Sequence, residues 1–261
     1  MFLHRVKKKL IIQRLKNLYH KIEIHQLTLL YFLFAWLGGY LKWYLSTLMI
    51  VCLHELCHLM MAYYFRFEIE KIVVLPFGAY LSLHDFYFHS IWQEICVVAA
   101  GPCSHFFIWI MIQNFTQGIY QDYLLTMNMF VFAFNLLPIY PLDGSRVIGL
   151  VLQSIMDLKK SLFLQLKISV FVYSFLFAFY IQTNTVVILS YLLLQQFYLY
   201  KFIPDYLRRY YSQIPTFSQK RKSVVHDHFV YRRGYQNYYF INGYLSDEKE
   251  RMFDLLENIK K

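Results

Sequence analysis

Residues 46–65 read STLMIVCLHELCHLMMAYYF, and His54, Glu55 and His58 stand inside this apolar run as His-Glu-Leu-Cys-His. On a helix, histidines at i and i+4 lie one above the other on one face, about 5–6 Å apart at Cβ. Imidazole is a favoured zinc ligand, and this spacing lets two rings hold one ion. Glu55, one residue round, sits beside such an ion without needing to ligate it. It can accept a proton from a water that zinc has acidified to a pKa of about 7 and return that proton to a leaving amine. A lone intramembrane histidine is more often a satisfied polar group inside a bundle. A carboxylate flanked by two histidines is not, because an acidic charge at a helix centre costs about 2.5–3.5 kcal/mol on insertion. The run therefore predicts a metalloprotease centre.

A tetrahedral catalytic zinc needs a third protein ligand and an open position. The candidate lies in residues 135–144, NLLPIYPLDG, where Pro138 and Pro141 should end an apolar helix before it crosses completely. Asp143 would then be presented from a broken helix end, with Gly144 permitting an unusual backbone. In isolation Asp143 would read as an ordinary carboxylate in a cytoplasmic loop, a reading that loses most of its weight beside a His-Glu-x-x-His lacking its third ligand.

The elements that must position these groups are membrane spans. Of 261 residues, 58% are hydrophobic and 16% charged, with a mean hydropathy of +0.35. Soluble domains carry about a quarter charged residues, so lipid is the indicated solvent. The 20% aromatic content suits side chains at membrane interfaces. Apolar runs near 27–45, 46–65, 91–113, 122–140, 161–181 and 184–203 each approach the roughly 20 residues a bilayer requires. With six spans, Arg66, Lys71, Arg146, Lys159 and Lys160 share one side with the basic N-terminal segment and tail, leaving Lys42 opposite. That is the positive-inside pattern, with both termini cytoplasmic. The fold class is thus an all-α polytopic membrane protein with a short membrane-associated β-hairpin and a small cytoplasmic C-terminal unit.

Residues 1–26 carry Arg5, Lys7, Lys8, Lys9, Arg14, Lys16 and Lys21 between apolar residues at roughly helical spacing. They suit a basic amphipathic helix on an anionic lipid surface, or equally a solvated basic leader. No removable signal peptide is expected, since no short apolar core with a small-residue cleavage site follows. Residues 66–90 alternate with period two around Pro76-Phe77-Gly78, as a short hairpin or a re-entrant segment. The tail, 204–261, is polar and basic, with a helix expected over 246–259 capped by Ser246. Cys52, Cys57, Cys96 and Cys103 form no Cys-x-x-Cys pair, so neither a disulfide framework nor a cysteine zinc site is expected.

The pairing of HELCH in an apolar helix with N-x-x-P-x-x-P-L-D-G further along resembles the site-2 protease family of intramembrane zinc metalloproteases, over about residues 27–203. The resemblance implies ligation of one zinc by His54, His58 and Asp143, with Glu55 as catalytic acid/base. It implies that Asn135 faces the active site, where its amide positions substrate or stabilises an oxyanion. Phe77-Gly78 looks like the family's membrane hairpin, which helps receive an extended substrate. The segment VVAAGPCSH, 97–105, resembles the family's G-P-x-x-N, with His105 where many members have Asn. That points to a polar contact near the site rather than a fourth ligand, which would close the position water needs.

No PDZ-sized insert separates the motifs, and the tail is short for paired CBS domains. The short core, His105 and the basic tail most resemble the sporulation branch, which releases a membrane-tethered sigma-factor precursor in the mother-cell membrane around the forespore. A single reduced CBS-like unit is expected in the tail. Membrane-embedded regulators and a homo-oligomer fit this reading as partners. Three rival readings stand beside it: an intramembrane metal transporter or sensor, which would spread its polar groups over several spans; an inactive client-binding relative, against which Glu55 stands; and a site-2-type protease acting on another tethered regulator. Lys220-Arg221-Lys222 and Arg232-Arg233 suggest an acidic partner or lipid more than nucleic acid.

Overall fold

The computed structural model describes residues 21–75, 78–83, 88–179, 183–214, 222–241, 243–257 and 259. Two compact units emerge, one of residues 1–89 and 96–133, the other of residues 90–95 and 134–261.

In the first unit, β1 (Ile22–Ile24) precedes α1 (Gln26–Leu37) and α2 (Leu41–Tyr64). The hairpin β2 (Ile69–Leu75) and β3 (Gly78–Leu83) follows, then α3 (Ile91–Phe115) and α4 (Gly118–Leu136). The expected boundary at 45/46 moves to Gly38-Gly39, where Gly39 takes φ +75°. A left-handed residue ends a helix at little cost only when it is glycine. The run near 27–45 is therefore divided, and α1 has 12 residues, short of the roughly 20 needed to cross alone. Among the described residues, Leu41–Tyr64, Ile91–Phe115 and Leu158–Phe179 are long and apolar enough to cross a membrane.

The expected hairpin is present, with β2 and β3 antiparallel from Ile69↔Leu83 to Leu75↔Gly78. Sequence reading missed β1, which pairs parallel with β2 through Ile22↔Ile72 and Ile24↔Val74. Residues 22–24 of the expected amphipathic segment are thus strand, while residues 1–20 and Phe77 lie outside the described residues.

Helices α2, α3 and α4 meet through Ile50, Ile108, Ile112 and Leu124. Outward positions on α2 and α3, including Met49, Met60, Phe106 and Phe107, are apolar and exposed, while His54, His58, Ser104, His105 and Asn128 are buried. Polar inside and apolar outside is the distribution a helix bundle takes in lipid.

In the second unit, α5 (Asp143–Ile155), α6 (Leu158–Phe179) and α7 (Thr183–Ser212) are followed by β4 (Lys222–His226), β5 (Tyr235–Ile241), β6 (Tyr244–Asp247) and α8 (Met252–Glu257). The tail sheet has order β4-β5-β6, with β4 parallel and β6 antiparallel to β5. The helix expected over 246–259 is corrected: Ser246 is strand, paired with Tyr239. Asp247 ends β6, and its Oδ1 accepts from the backbone N–H groups of Lys249 and Glu250, both at 2.9 Å, in the turn that precedes α8.

The tail also packs on the helices. The Leu158 N–H, an orphan donor in the first turn of α6, donates to the Tyr231 carbonyl at 2.9 Å. Tyr231 lies against Tyr210 and Tyr211, and burial pushes the Tyr211 phenol up from its ordinary range. Arg233 is buried on Glu94 and donates to Gln153 Oε1 at 2.8 Å. Burial alone would lower its pKa, but the Glu94 carboxylate holds the guanidinium charged. Arg233 therefore leaves the proposed recruiting patch.

Candidate active site

Helix α2 buries the stripe Ile50, His54, His58 and Ala62, one residue per turn. That is the face the HELCH spacing predicts. The Val97 carbonyl on α3 lies 2.7 Å from His58 Nδ1. A carbonyl only accepts, so Nδ1 carries the proton and the neutral ring turns a lone pair outward at Nε2. The Nε2 atoms of His58 and His54 lie 3.0 Å apart.

Gly101 on α3 lets the helix backbone approach both rings closely, as a cradle. A Cβ there would fall 2.1 Å from His58 Nε2 and 2.6 Å from His54 Nε2. Sequence reading had Gly101 only as part of a motif, and its physical purpose is this cradle. His105, one turn further, places Nε2 3.0 Å from His54 Nδ1. It bonds behind a ligand and is outside the candidate metal group.

Asp143 owes its position to a held loop. Helix α4 stops at Leu136, two residues before Pro138. The Ser169 hydroxyl accepts from the Tyr140 N–H at 2.8 Å and donates to Gln196 Oε1 at 2.5 Å. Gln196 Nε2 donates to the Tyr140 carbonyl at 2.7 Å, closing the ring of bonds. Ile139, fully buried, anchors the loop among Tyr173, Leu189 and Leu192.

Asp143 is then the first residue of α5, not the broken end of α4. The partial positive charge of a helix start favours its carboxylate. Gly144 is required for close approach, since a Cβ would fall 2.1 Å from the Leu136 carbonyl oxygen. Its φ is not among the positive ones, so the expected unusual backbone is corrected. Asn135 lies half-buried in the last turn of α4, and Gly78 opens β3.

His54, His58 and Asp143, all buried, each bring one ligand atom to a group whose atoms lie within 4.8 Å of one another. Two imidazole nitrogens and a carboxylate oxygen are a zinc donor set. Facing ring nitrogens, against which a glycine leaves no Cβ, fit that ion. Glu55, half-buried, follows His54 on the helix.

Residues 43–120 match the sequence model of peptidase family M50. Over that region the chain is similar to peptidase family M50. Stage IV sporulation protein FB of Bacillus subtilis (strain 168) is 30% identical over 158 residues, 57% of this chain and 54% of that protein. A zinc metalloprotease of Methanocaldococcus jannaschii is 32% identical over 110 residues, 39% of this chain and 32% of that protein. The chain thus spans about half of the first relative and a third of the second. A solved site-2 protease from M. jannaschii aligns with a TM-score of 0.48 at 24% identity, covering 70% of this chain and 89% of that one. The M50 region holds His54, Glu55, His58, Gly101 and His105, while Asn135 and Asp143 lie beyond it.

Sequence reading missed Asn128, Gln196 and the Val97 carbonyl. Asn128 and Gln196 carried a signal, each an amide inside an apolar run. A backbone carbonyl carries none.

Proposed function

We propose that the chain is a site-2-type intramembrane zinc metalloprotease that cuts a membrane-tethered protein, namely a sigma-factor precursor during endospore formation. The observation that carries this reading is the buried group of His54, His58 and Asp143 with Glu55 beside it on α2. His54, His58 and Asp143 would hold a zinc ion, which would supply Lewis acidity and acidify a water. The Glu55 carboxylate would accept a proton and pass it to the amine of the cleaved bond. Asn135 offers an amide to the substrate carbonyl, and Phe77-Gly78 with the edge strand β3 receive the substrate in extended form.

The sporulation assignment is supported by the similarity to a stage IV sporulation protein. The proposed organisation is a basic segment 1–26, a protease domain 27–203 of six spans with both ends cytoplasmic, and a tail 204–261 carrying a reduced CBS-like unit. Placement in the mother-cell membrane, membrane-embedded regulators, anionic lipid and a homo-oligomer belong to the same proposal. Co-expression with candidate tethered transcription factors tests it. Release of a soluble fragment that depends on zinc and on Glu55 is expected, and release unaffected by Glu55→Gln would refute it.

A further inference from the structure

Behind the His54 ring, polar side chains of three helices form a chain closed to water: His54 of α2, His105 of α3 and Asn128 of α4 are 1%, 3% and 4% exposed. We propose that Asn128 and His105 are positioning residues that fix the tautomer of His54, so that Nε2 is the atom it offers to the metal. The proposal rests on the zinc reading above.

The polarity of every bond follows from one end. Asn128 Nδ2 donates to the His105 backbone carbonyl at 3.1 Å, and that oxygen can only accept. The amide is thereby oriented, and its Oδ1 faces His105 Nδ1 at 2.7 Å. Oδ1 has no proton, so Nδ1 of His105 must donate. The neutral His105 ring then has its lone pair at Nε2, 3.0 Å from His54 Nδ1. His54 donates there and keeps a lone pair at Nε2, facing His58 Nε2. Turning the amide over would set Oδ1 against the His105 carbonyl, two acceptors together, in a place water does not reach.

Metal-bound histidines usually donate their second nitrogen to a carboxylate or a carbonyl, which fixes the ring and its tautomer. His58 follows that rule through Val97. His54 uses a second imidazole, itself oriented by an amide. The same helices share the core of Ile50, Ile108, Ile112 and Leu124, which holds the relay in register.

The test is zinc retention by the purified full-length protein against a competing chelator, read on the folded fraction. Asn128→Leu and His105→Leu should weaken zinc binding about 10–100-fold, the usual effect of removing such a support. His105→Gln, whose Oε1 can still accept from His54 Nδ1, should stay close to wild type. A second measurement needs no disruptive variant: 15N NMR of histidine-labelled wild type, assigned against His105→Gln, should place the His105 proton on Nδ1. Failure of wild type to bind zinc would overturn the zinc reading and the relay with it. Zinc held equally by wild type and both Leu variants, but lost on His58→Ala, would overturn the relay alone. So would a His105 proton on Nε2.

Discussion

Arg233 and Glu94, 139 positions apart in the chain, form an ion pair with side chains 2% and 0% exposed. Removing one partner of such a pair leaves an uncompensated charge, at a cost of about 3–5 kcal/mol. Arg233→Ala should therefore lower the resistance of the purified protein to denaturing detergent by that order. Arg233→Met with Glu94→Gln should recover most of it. Unchanged unfolding of the single variant would contradict the buried pairing.

Glu55→Gln keeps the side-chain shape but cannot take a proton from water. Zinc content should remain near wild type while cleavage of a tethered peptide falls below detection. Metal analysis and gel detection of product are the readouts, and substantial residual cleavage would remove Glu55 from its assigned role.

Gly101→Ala would place a methyl 2.1 Å from His58 Nε2 and 2.6 Å from His54 Nε2. Expected is loss of bound zinc and of cleavage together, with the protein still folded. A zinc-loaded, active Ala variant would show that the cradle is elsewhere.

Tail removal also unpairs Glu94 and the Leu158 N–H, so recruitment is separated from stability by comparing two substrates. With residues 204–261 deleted, processing of a full-length precursor should fall further than cleavage of a short tethered peptide, at matched zinc content. For charge reversal, Lys222 is the suitable described position, because it is exposed whereas Arg233 is buried and Arg232 donates to the Ser154 carbonyl. The Lys222 effect should weaken as salt rises. Equal losses on both substrates would leave the tail a purely structural part.

Topology is open to reporter fusions. Fusions after residues 20, 75, 150 and 215 should report the cytoplasm, and fusions near 118 and 183 the opposite side. A reporter at 215 on the outer side would refute the six-span proposal.

The candidate ligands were legible in the sequence because metal chemistry confines residue types and spacing: His54 and His58 are one helical turn apart, and Asp143 sits in a Pro- and Gly-marked break. What holds them was harder to read. His58 is braced by a backbone carbonyl, which leaves no residue signature. Arg233 looked like one of several tail cations until its partner, far off in the chain, came into contact. The helix boundary at Gly38-Gly39 was lost in an uninterrupted apolar run, where hydropathy is blind to backbone angle. Strand β1 is a three-residue piece whose pairing is wholly non-local.

The bond from the Leu158 N–H to the Tyr231 carbonyl bears on how such a protein can be rebuilt. Helix α6 has its first turn completed by the tail, so the tail is not a detachable cassette. A chimaera that grafts another regulatory unit after α7 would have to bring its own acceptor to Leu158, or begin α6 later. Exchange of whole tails between relatives would then demand matched changes at the start of α6, so the two segments would be inherited as a pair.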